Sequence, residues 1–185
     1  MDLNRVIKER HCVRRFSGKK VDWRKVIEAL DAARVAPLAG NISCVKFIIV
    51  QDKDKIKKLA EASQQDFINN TEIVAVFCSD NSQIKRSYNE RSLMYGRQQA
   101  GAAMENFFLK ITDLGLATCW VGAFVDDQVK EILGIPENVD VEGMFPVGYE
   151  RIPKEKQRQK TELDNILFFE TWKNKYLGGQ DNPWT

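Results

Sequence analysis

The chain has 185 residues, of which 28 are basic and 26 acidic, giving a formal net charge of +2. Hydrophobic residues make up 43% and charged residues 29%, a composition typical of a globular protein, and the length suits one domain over residues 1–185. This near-balance of charge argues against a general nucleic-acid binder, which would concentrate basic residues.

Membrane and metal-binding roles are also disfavoured by the sequence. No apolar run approaches the roughly 20 residues that span a bilayer, and the charged N-terminus lacks a signal-like apolar core. We therefore expect a soluble, cytoplasmic protein. Cys12, Cys44, Cys78 and Cys119 are scattered and there is a single histidine, so we expect no metal site and mostly buried thiols.

Hydrophobic periodicity predicts the elements of the first half of the chain. Asp22 can cap a helix over 23–35, and Pro37 and Gly40 then break the chain into a loop. Two short β-branched runs predict buried strands, with a charged helix between them. The strands cover residues 45–50 and 73–78, and the helix covers 52–64.

The second half contains the longest helical signal, from about Ser92 to Leu114, and Gly115 is placed to end that helix. Within the helix, the small residues 100–103 would let another backbone come close. A strand and turn at 118–124, a short helix and a strand at 144–149 follow.

Asp126 or Asp127 is predicted to cap the short helix, and Gly134 to end it. The whole pattern has neither regular βαβ units nor a Gly-rich phosphate loop. It therefore predicts an α+β domain with one central sheet flanked by helices. The apolar tail, residues 163–185, is expected to pack on its own domain or on a partner subunit.

Basic side chains cluster at two places, residues 10–15 and residues 154–160. Arginine suits phosphate because its planar fork donates two parallel hydrogen bonds. Charge alone favours the interpretation of residues 10–15 as an exposed basic face and of residues 154–160 as an exposed loop. The sequence leaves open whether the two clusters meet around one phosphate.

Several short motifs follow one another in a distinctive order. They are R-H-C-V-R-R-F (10–16), A-P-L-A-G-N (36–41), A-G-A-A (100–103), G-L-A-T-C-W-V-G (115–122), P-V-G-Y (146–149) and K-Q-R (156–158). In that order and at these spacings the sequence resembles the nitroreductase-like FMN-dependent oxidoreductases, from Arg10 to about Trp172. The resemblance implies a mostly antiparallel sheet, bound FMN, and a homodimer in which the C-terminal extension is exchanged between subunits.

The resemblance also implies which residues bind FMN. Arg10 would grip the 5′-phosphate and Arg14 would lie near the flavin N1/O2 edge or the ribityl chain, with His11 and Cys12 in the same stretch. The other implied contacts are a loop that reaches the flavin of the other subunit (Pro37, Leu38, Ala39, Asn41), a segment beside the isoalloxazine ring (Cys119, Trp120, Val121, Gly122) and a basic pair at the phosphate (Lys156, Arg158). No catalytic side chain is expected, because flavin N5 carries the chemistry.

Two cysteines and one tryptophan in these motifs have a second interpretation. Cys12 lies among positive charges that would lower its pKa, but we interpret it as filling the Ser position of the motif. Cys119 could be redox-active, but we interpret it as a small residue that fits against the ring. Trp120 could stack on a substrate or fill the core.

The sequence also departs from the family pattern. Ser43, Cys44 and Val45 replace a Gln-Pro-Trp-like run, Gln99 stands where an acidic residue is common, and the loop lacks its usual Ser. Fewer side-chain hydrogen bonds to the flavin are therefore expected, with backbone groups in their place.

Three functions follow as hypotheses. The first is an oxidoreductase that moves hydride from NADH or NADPH through FMN to a nitroaromatic, quinone or flavin, in a ping-pong order. The second is an FMN-dependent dehydrogenase or dehalogenase on the same scaffold. The third is a non-catalytic module that uses its basic patches to bind nucleic acid or an acidic partner.

Overall fold

The computed structural model describes residues 2–152 and 161–175. The chain forms two compact units, Met1–Ile152 and Pro153–Thr185. The predicted basic pair, Lys156 and Arg158, lies outside the described residues, as does the end of the tail from residue 176.

The first unit contains six α-helices and five strands within its described residues. The helices are α1 (Leu3–Glu9), α2 (Trp23–Ala33), α3 (Lys53–Ser63), α4 (Ser82–Tyr88), α5 (Ser92–Asp113) and α6 (Asp126–Leu133). The strands are β1 (Phe16–Ser17), β2 (Val45–Val50), β3 (Ile73–Asp80), β4 (Ala117–Thr118) and β5 (Val139–Glu150). The sequence patterns did not predict α1 and α4, and β5 begins five residues before the predicted strand.

The strands form one antiparallel sheet in the order β1-β5-β3-β2, with β4 also paired to β5. Val147 pairs with both Ile73 of β3 and Thr118 of β4, so β4 lies on the edge of β5 that also carries β1. The predicted α+β class with a mostly antiparallel central sheet is therefore confirmed.

Helices cover both faces of the sheet, and the side chains of β3 alternate between them. Ile73, Ala75 and Phe77 face the layer of α2 and α5, where the rings of Phe107, Phe108 and Phe145 are buried. Val74, Val76 and Cys78 face the layer of α3 and α6. The prediction that 45–50 is a buried strand is wrong for most of its length. Only Val50 of β2 is fully buried, because β2 lies at the sheet edge.

Three of the predicted helix ends are confirmed by local chemistry. Asp22 accepts a hydrogen bond from Arg24 N at 3.0 Å, and Gly115 and Gly134 adopt the left-handed conformation that ends α5 and α6. The prediction that Asp126 or Asp127 caps α6 is wrong, because the cap is Val125 and both aspartates lie in the first turn. There they face the positive end of the helix dipole.

The described part of the second unit contains a short helix, α7 (Leu163–Ile166), followed by an aromatic cluster. The rings of Phe168 and Trp172 lie 4.8 Å apart, and Lys175 Nζ lies 4.3 Å from the Phe168 centroid. Among the described residues, no helix is both long and apolar enough to cross a membrane.

Candidate active site

The N-terminal stretch 10–14 lies beside the segment 119–122. Val13 N donates a hydrogen bond to Thr118 O at 2.9 Å, which holds the two backbones together. Thr118 is fixed in turn by a bond from its Oγ1 to Pro146 O at 2.8 Å. The structure thus brings two of the predicted groups into one place, which we name the 12–119 groove after the cysteines on its two sides.

The guanidinium groups of the two predicted cations in this stretch, Arg10 and Arg14, each lie over an aromatic ring. The guanidinium of Arg10 lies 4.7 Å from the Phe108 centroid, and its Nε bonds to Glu105 at 3.2 Å. The guanidinium of Arg14 lies 5.9 Å from the Phe67 centroid. A guanidinium carries five N–H donors, so Arg10 can keep its bond to Glu105 and still present donors to an anion.

Cys12 and Cys119 face each other across the groove. Their thiols are hydrogen bonded, and this bond lowers the pKa of Cys12 to about 5, helped by the backbone N–H of Trp120 and by the charges of Arg14 and Arg10. The hydrogen bond to Cys12, together with burial, raises the pKa of Cys119. The two shifts have opposite directions, so the pair favours a thiolate on Cys12 and a protonated thiol on Cys119.

Trp120 packs against β5, beside Phe145 and Gly143. Its ring is 5.6 Å from that of Phe145, and 37% of its surface remains exposed. A Cβ at Gly143 would lie 3.1 Å from Trp120 Nε1, closer than most Cβ contacts, so the indole packs tightly over this glycine. Val121 then joins the sheet through two bonds with Met144, at 2.9 and 3.0 Å, and Gly122 is exposed beyond it. Trp120 is thus part core and part surface.

His11 points away from the groove, towards β5. Its Nδ1 lies 2.8 Å from Glu9 O and its Nε2 lies 3.1 Å from Glu150 Oε1. Both partners are acceptors, so only a ring protonated on both nitrogens donates to both. This arrangement anchors the N-terminal stretch to the end of β5.

The loop with Pro37, Leu38, Ala39 and Asn41 makes a tight left-handed turn. Gly40 and Asn41 have φ values of 57° and 58°, a conformation that glycine and asparagine tolerate best. A Cβ at Gly40 would also lie 2.4 Å from the Tyr88 hydroxyl, so Tyr88 covers this turn closely.

The segment after the loop and the 12–119 groove contact α5 at different positions along the helix. After the loop, the Cys44 thiol donates to Gln99 Oε1 at 3.5 Å, whereas Arg10 contacts Glu105 and Phe108. Six to nine residues of α-helix separate these contacts, which is a rise of about 9–14 Å. Gln99 Nε2 is buried and has no hydrogen-bond acceptor within the described part of the chain.

The sequence patterns missed the residues that support the predicted site. Glu105, Phe108 and Phe67 hold the two arginines, and Glu150 holds His11. Periodicity could place Phe108 in the core, but no sequence signal links α5 to the N-terminal stretch.

Two other observations bear on where a ligand could bind. A cavity of about 350 Å³ lies beyond Phe16, lined by polar residues such as Lys19, Lys53 and Asn70 and by none of the predicted FMN contacts among the described residues. Within residues 2–152 and 161–175, no group of three or more His, Cys, Asp or Glu side chains could hold a metal ion.

Comparison with known proteins gives consistent results. The sequence model of the nitroreductase family matches residues 7–72 and 62–149. The chain is 30% identical over 156 residues to an Archaeoglobus fulgidus protein provisionally named NADH dehydrogenase/NAD(P)H nitroreductase, covering 82% of this chain and 87% of that one. It is 26% identical over 155 residues to the FMN reductase [NAD(P)H] of Bacillus subtilis, covering 74% and 62%. A crystal structure of a nitroreductase family protein from Clostridium difficile 630 superposes with a TM-score of 0.83 at 27% identity, covering 93% and 100%.

Proposed function

Because the chain belongs to the nitroreductase family, we propose that it is an oxidoreductase that takes hydride from NADH or NADPH through FMN bound in the 12–119 groove. The observation that carries this proposal is the meeting of Arg10, Arg14 and the segment Cys119–Gly122 in one groove. Two relatives named for NAD(P)H, one of them an FMN reductase, support the same assignment.

The charges of the groove fit an anionic cofactor. The FMN phosphate carries nearly two negative charges, and guanidinium groups are suited to bind it through paired, charge-assisted bonds. Arg10 would hold the phosphate, and Lys156 and Arg158 would complete the phosphate site. Arg14, Cys12 and His11 belong to the same binding stretch.

Trp120 and the backbone at Gly122 are suited to contact the isoalloxazine ring of FMN. Trp120 offers a half-exposed aromatic surface, and Gly122 has no side chain to keep a flat ring from the backbone. When bound, FMN supplies the redox chemistry, accepting hydride from the nicotinamide and passing electrons to a second substrate in ping-pong order.

Arg10 is oriented before any ligand arrives. Glu105 and Phe108 hold its guanidinium from one side, so little side-chain entropy remains to be lost when it binds an anion. The protein's contribution is therefore to bind and orient the cofactor, and none of its side chains needs to act as nucleophile or general acid.

We also propose a homodimer that completes the site. The loop with Pro37, Leu38, Ala39 and Asn41 would reach the flavin of the partner, in keeping with its distance from the groove along α5. Apolar surface for such a contact is available beside α5. Leu3 and Val35 are 64% and 65% exposed and line a groove of about 330 Å³ between α1, α2 and α5. Trp172 of the tail is also exposed, which supports the prediction that residues 163–185 pack on the partner.

A binding experiment tests the cofactor proposal. Arg10→Ala should weaken FMN binding about 10- to 100-fold, the loss expected for charge-assisted bonds to a phosphate. Arg24→Ala is the matched control, because Arg24 is also an arginine near a carboxylate and an aromatic ring, at 3.6 Å from Asp22 and 5.3 Å from the Trp23 centroid, but lies at the start of α2. FMN fluorescence quenching on titration measures both affinities.

The reaction itself is tested with the flavin-loaded protein. Anaerobic NADH or NADPH should bleach its visible absorbance, and a quinone or nitroaromatic should restore it. A protein that takes up no FMN contradicts the proposal. FMN that binds but is bleached by neither nicotinamide favours the dehydrogenase or dehalogenase reading. Salt-sensitive oligonucleotide binding without FMN would favour the basic-patch module.

A further inference from the structure

Two cysteines from distant parts of the chain meet in the 12–119 groove. Cys12 is exposed, whereas Cys119 exposes only 1% of its surface. Their thiols are hydrogen bonded to each other, and the residues next to them are joined by the bond from Val13 N to Thr118 O. The backbone therefore holds the two segments that carry these thiols next to each other.

The surroundings divide the two thiols into different chemical roles. The Cys12 sulfur accepts bonds from the Cys119 thiol and from the Trp120 backbone N–H, near two guanidinium groups. Cys119 is enclosed, with its thiol 3.8 Å from Trp120 O and next to the Cys12 sulfur. Thiolates next to positive charge and open to solvent are the ones that react with oxidants.

The other two cysteines provide a contrast within the same chain. Cys44 and Cys78 are both buried, and burial raises the pKa of each thiol, that of Cys78 to about 11. Neither should react readily in the folded protein.

We propose that Cys12 is a site of reversible oxidation by small hydroperoxides and that Cys119 resolves it by forming a Cys12–Cys119 disulfide. In the first step the Cys12 sulfur attacks one peroxide oxygen, so that an S–O bond forms, the O–O bond breaks and, from hydrogen peroxide, hydroxide leaves. Cys12 has then lost two electrons to the peroxide and is a sulfenic acid. In the second step the Cys119 sulfur attacks the Cys12 sulfur, and the sulfenic oxygen leaves as water with the proton of Cys119.

The backbone geometry favours closure of this bond. A disulfide needs Cα atoms within about 7 Å and sulfurs that face each other. The hydrogen bond from Val13 N to Thr118 O joins the residue after Cys12 to the residue before Cys119, and the contact between the two thiols brings the sulfurs together. The disulfide would tie the stretch 10–14 to the segment 119–122, so the oxidation state would act directly on the groove.

Peroxide treatment followed by mass spectrometry tests the inference, which does not rest on the proposed FMN chemistry. The protein as purified is treated with equimolar hydrogen peroxide, alkylated and analysed as an intact mass and as peptides. We expect the loss of two hydrogens, a linked peptide pair containing Cys12 and Cys119, and full reversal by dithiothreitol. Without peroxide, Cys12 should alkylate at least about tenfold faster than Cys44 or Cys78.

Variants separate the two roles. Cys119→Ser should stop the reaction at the sulfenic acid, seen as the gain of one oxygen and trapped by dimedone. Cys12→Ser should abolish oxidation, and the control Cys44→Ala should still form the disulfide. Peroxide that leaves all four thiols free overturns the inference. So does a Cys12 that links only to Cys12 of another molecule.

Discussion

Cys12 is a clear case of a side chain whose chemistry depends on its neighbours. In sequence it lies between arginines, which alone would favour the thiolate modestly. In the structure the largest cause of its lowered pKa is the hydrogen bond from Cys119, a residue more than 100 positions away, and the arginines contribute less. The interpretation of Cys12 as a plain replacement for serine therefore omits its most specific contact.

This arrangement predicts the pH dependence of Cys12 alkylation. The alkylation rate follows the thiolate, and lowering the pKa favours the thiolate at lower pH. The rate of the wild-type protein should therefore rise around pH 5 and be nearly constant from about pH 6, whereas an ordinary thiol still gains reactivity up to about pH 8.5. Rates of iodoacetamide labelling, read by mass spectrometry, provide the measurement.

Cys119→Ala removes the largest cause of the shift, so the labelling profile should move to higher pH. Cys119→Ser keeps a hydroxyl donor and should move it less, and Cys78→Ala should not move it. Superimposable profiles for the wild type and Cys119→Ala would show that Cys119 does not stabilise the thiolate.

At the level of elements, α5 organises the candidate site. Its residues Glu105 and Phe108 hold Arg10, while Gln99, two turns earlier, receives the thiol of Cys44 after the loop. The same helix buries Phe107 against Phe77 and Phe145, which fixes it to the sheet. A rigid helix can thus hold two binding segments at a constant separation.

The N-terminal caps of α2 and α6 differ, and this difference gives a stability prediction. Asp22→Ala removes the acceptor of Arg24 N and should lower the free energy of unfolding by about 1 kcal/mol. Val125→Ser supplies a side-chain acceptor where α6 has none and should raise that free energy by about 0.5–1 kcal/mol.

Urea denaturation at one protein concentration measures both changes, each variant serving as the other's comparison. An unchanged midpoint for Asp22→Ala, or a lower one for Val125→Ser, would show that capping does not limit the stability of these helices.

At the level of the whole molecule, the exposed apolar side chains favour association. Leu3 of α1 and Val35 after α2 line one groove, and Ile7 of α1 and Leu93 and Met94 of α5 are also exposed. Isolated exposed apolar residues are normal, but a group around a groove indicates a contact surface. The proposed homodimer would cover it.

A charge placed in this surface tests the dimer. Val35→Asp should shift the protein from twice the mass of the chain towards the monomer, because an unpaired carboxylate is costly to bury. Val125→Asp is the control, an equivalent change at an exposed valine beside α6, on the other side of the sheet. Size-exclusion chromatography with light scattering gives the masses.

FMN affinity should fall together with the dimer in Val35→Asp, since the partner's loop is proposed to complete the site. A wild-type monomer that holds FMN tightly would exclude that proposal.

Most of the local structure, and the family, could be predicted from the sequence. Short β-branched apolar runs located β2 and β3, helical spacing of apolar residues located α2 and α5, and the charged segment between the strands located α3. Helix ends at Asp22, Gly115 and Gly134 were predictable because caps depend on a single residue's chemistry. The ordered motifs from Arg10 to Tyr149 pointed to the nitroreductase family, as the family match over residues 7–149 confirms.

The tertiary structure alone decided which distant residues meet. β2 lies at the edge of the sheet, His11 turns to Glu150, Arg10 rests on Phe108, and Cys12 contacts Cys119. None of these features leaves a periodic signal, since each depends on residues that are far apart in the chain. A thiol's reactivity or an arginine's orientation depends on such neighbours, and packing of the folded chain selects them.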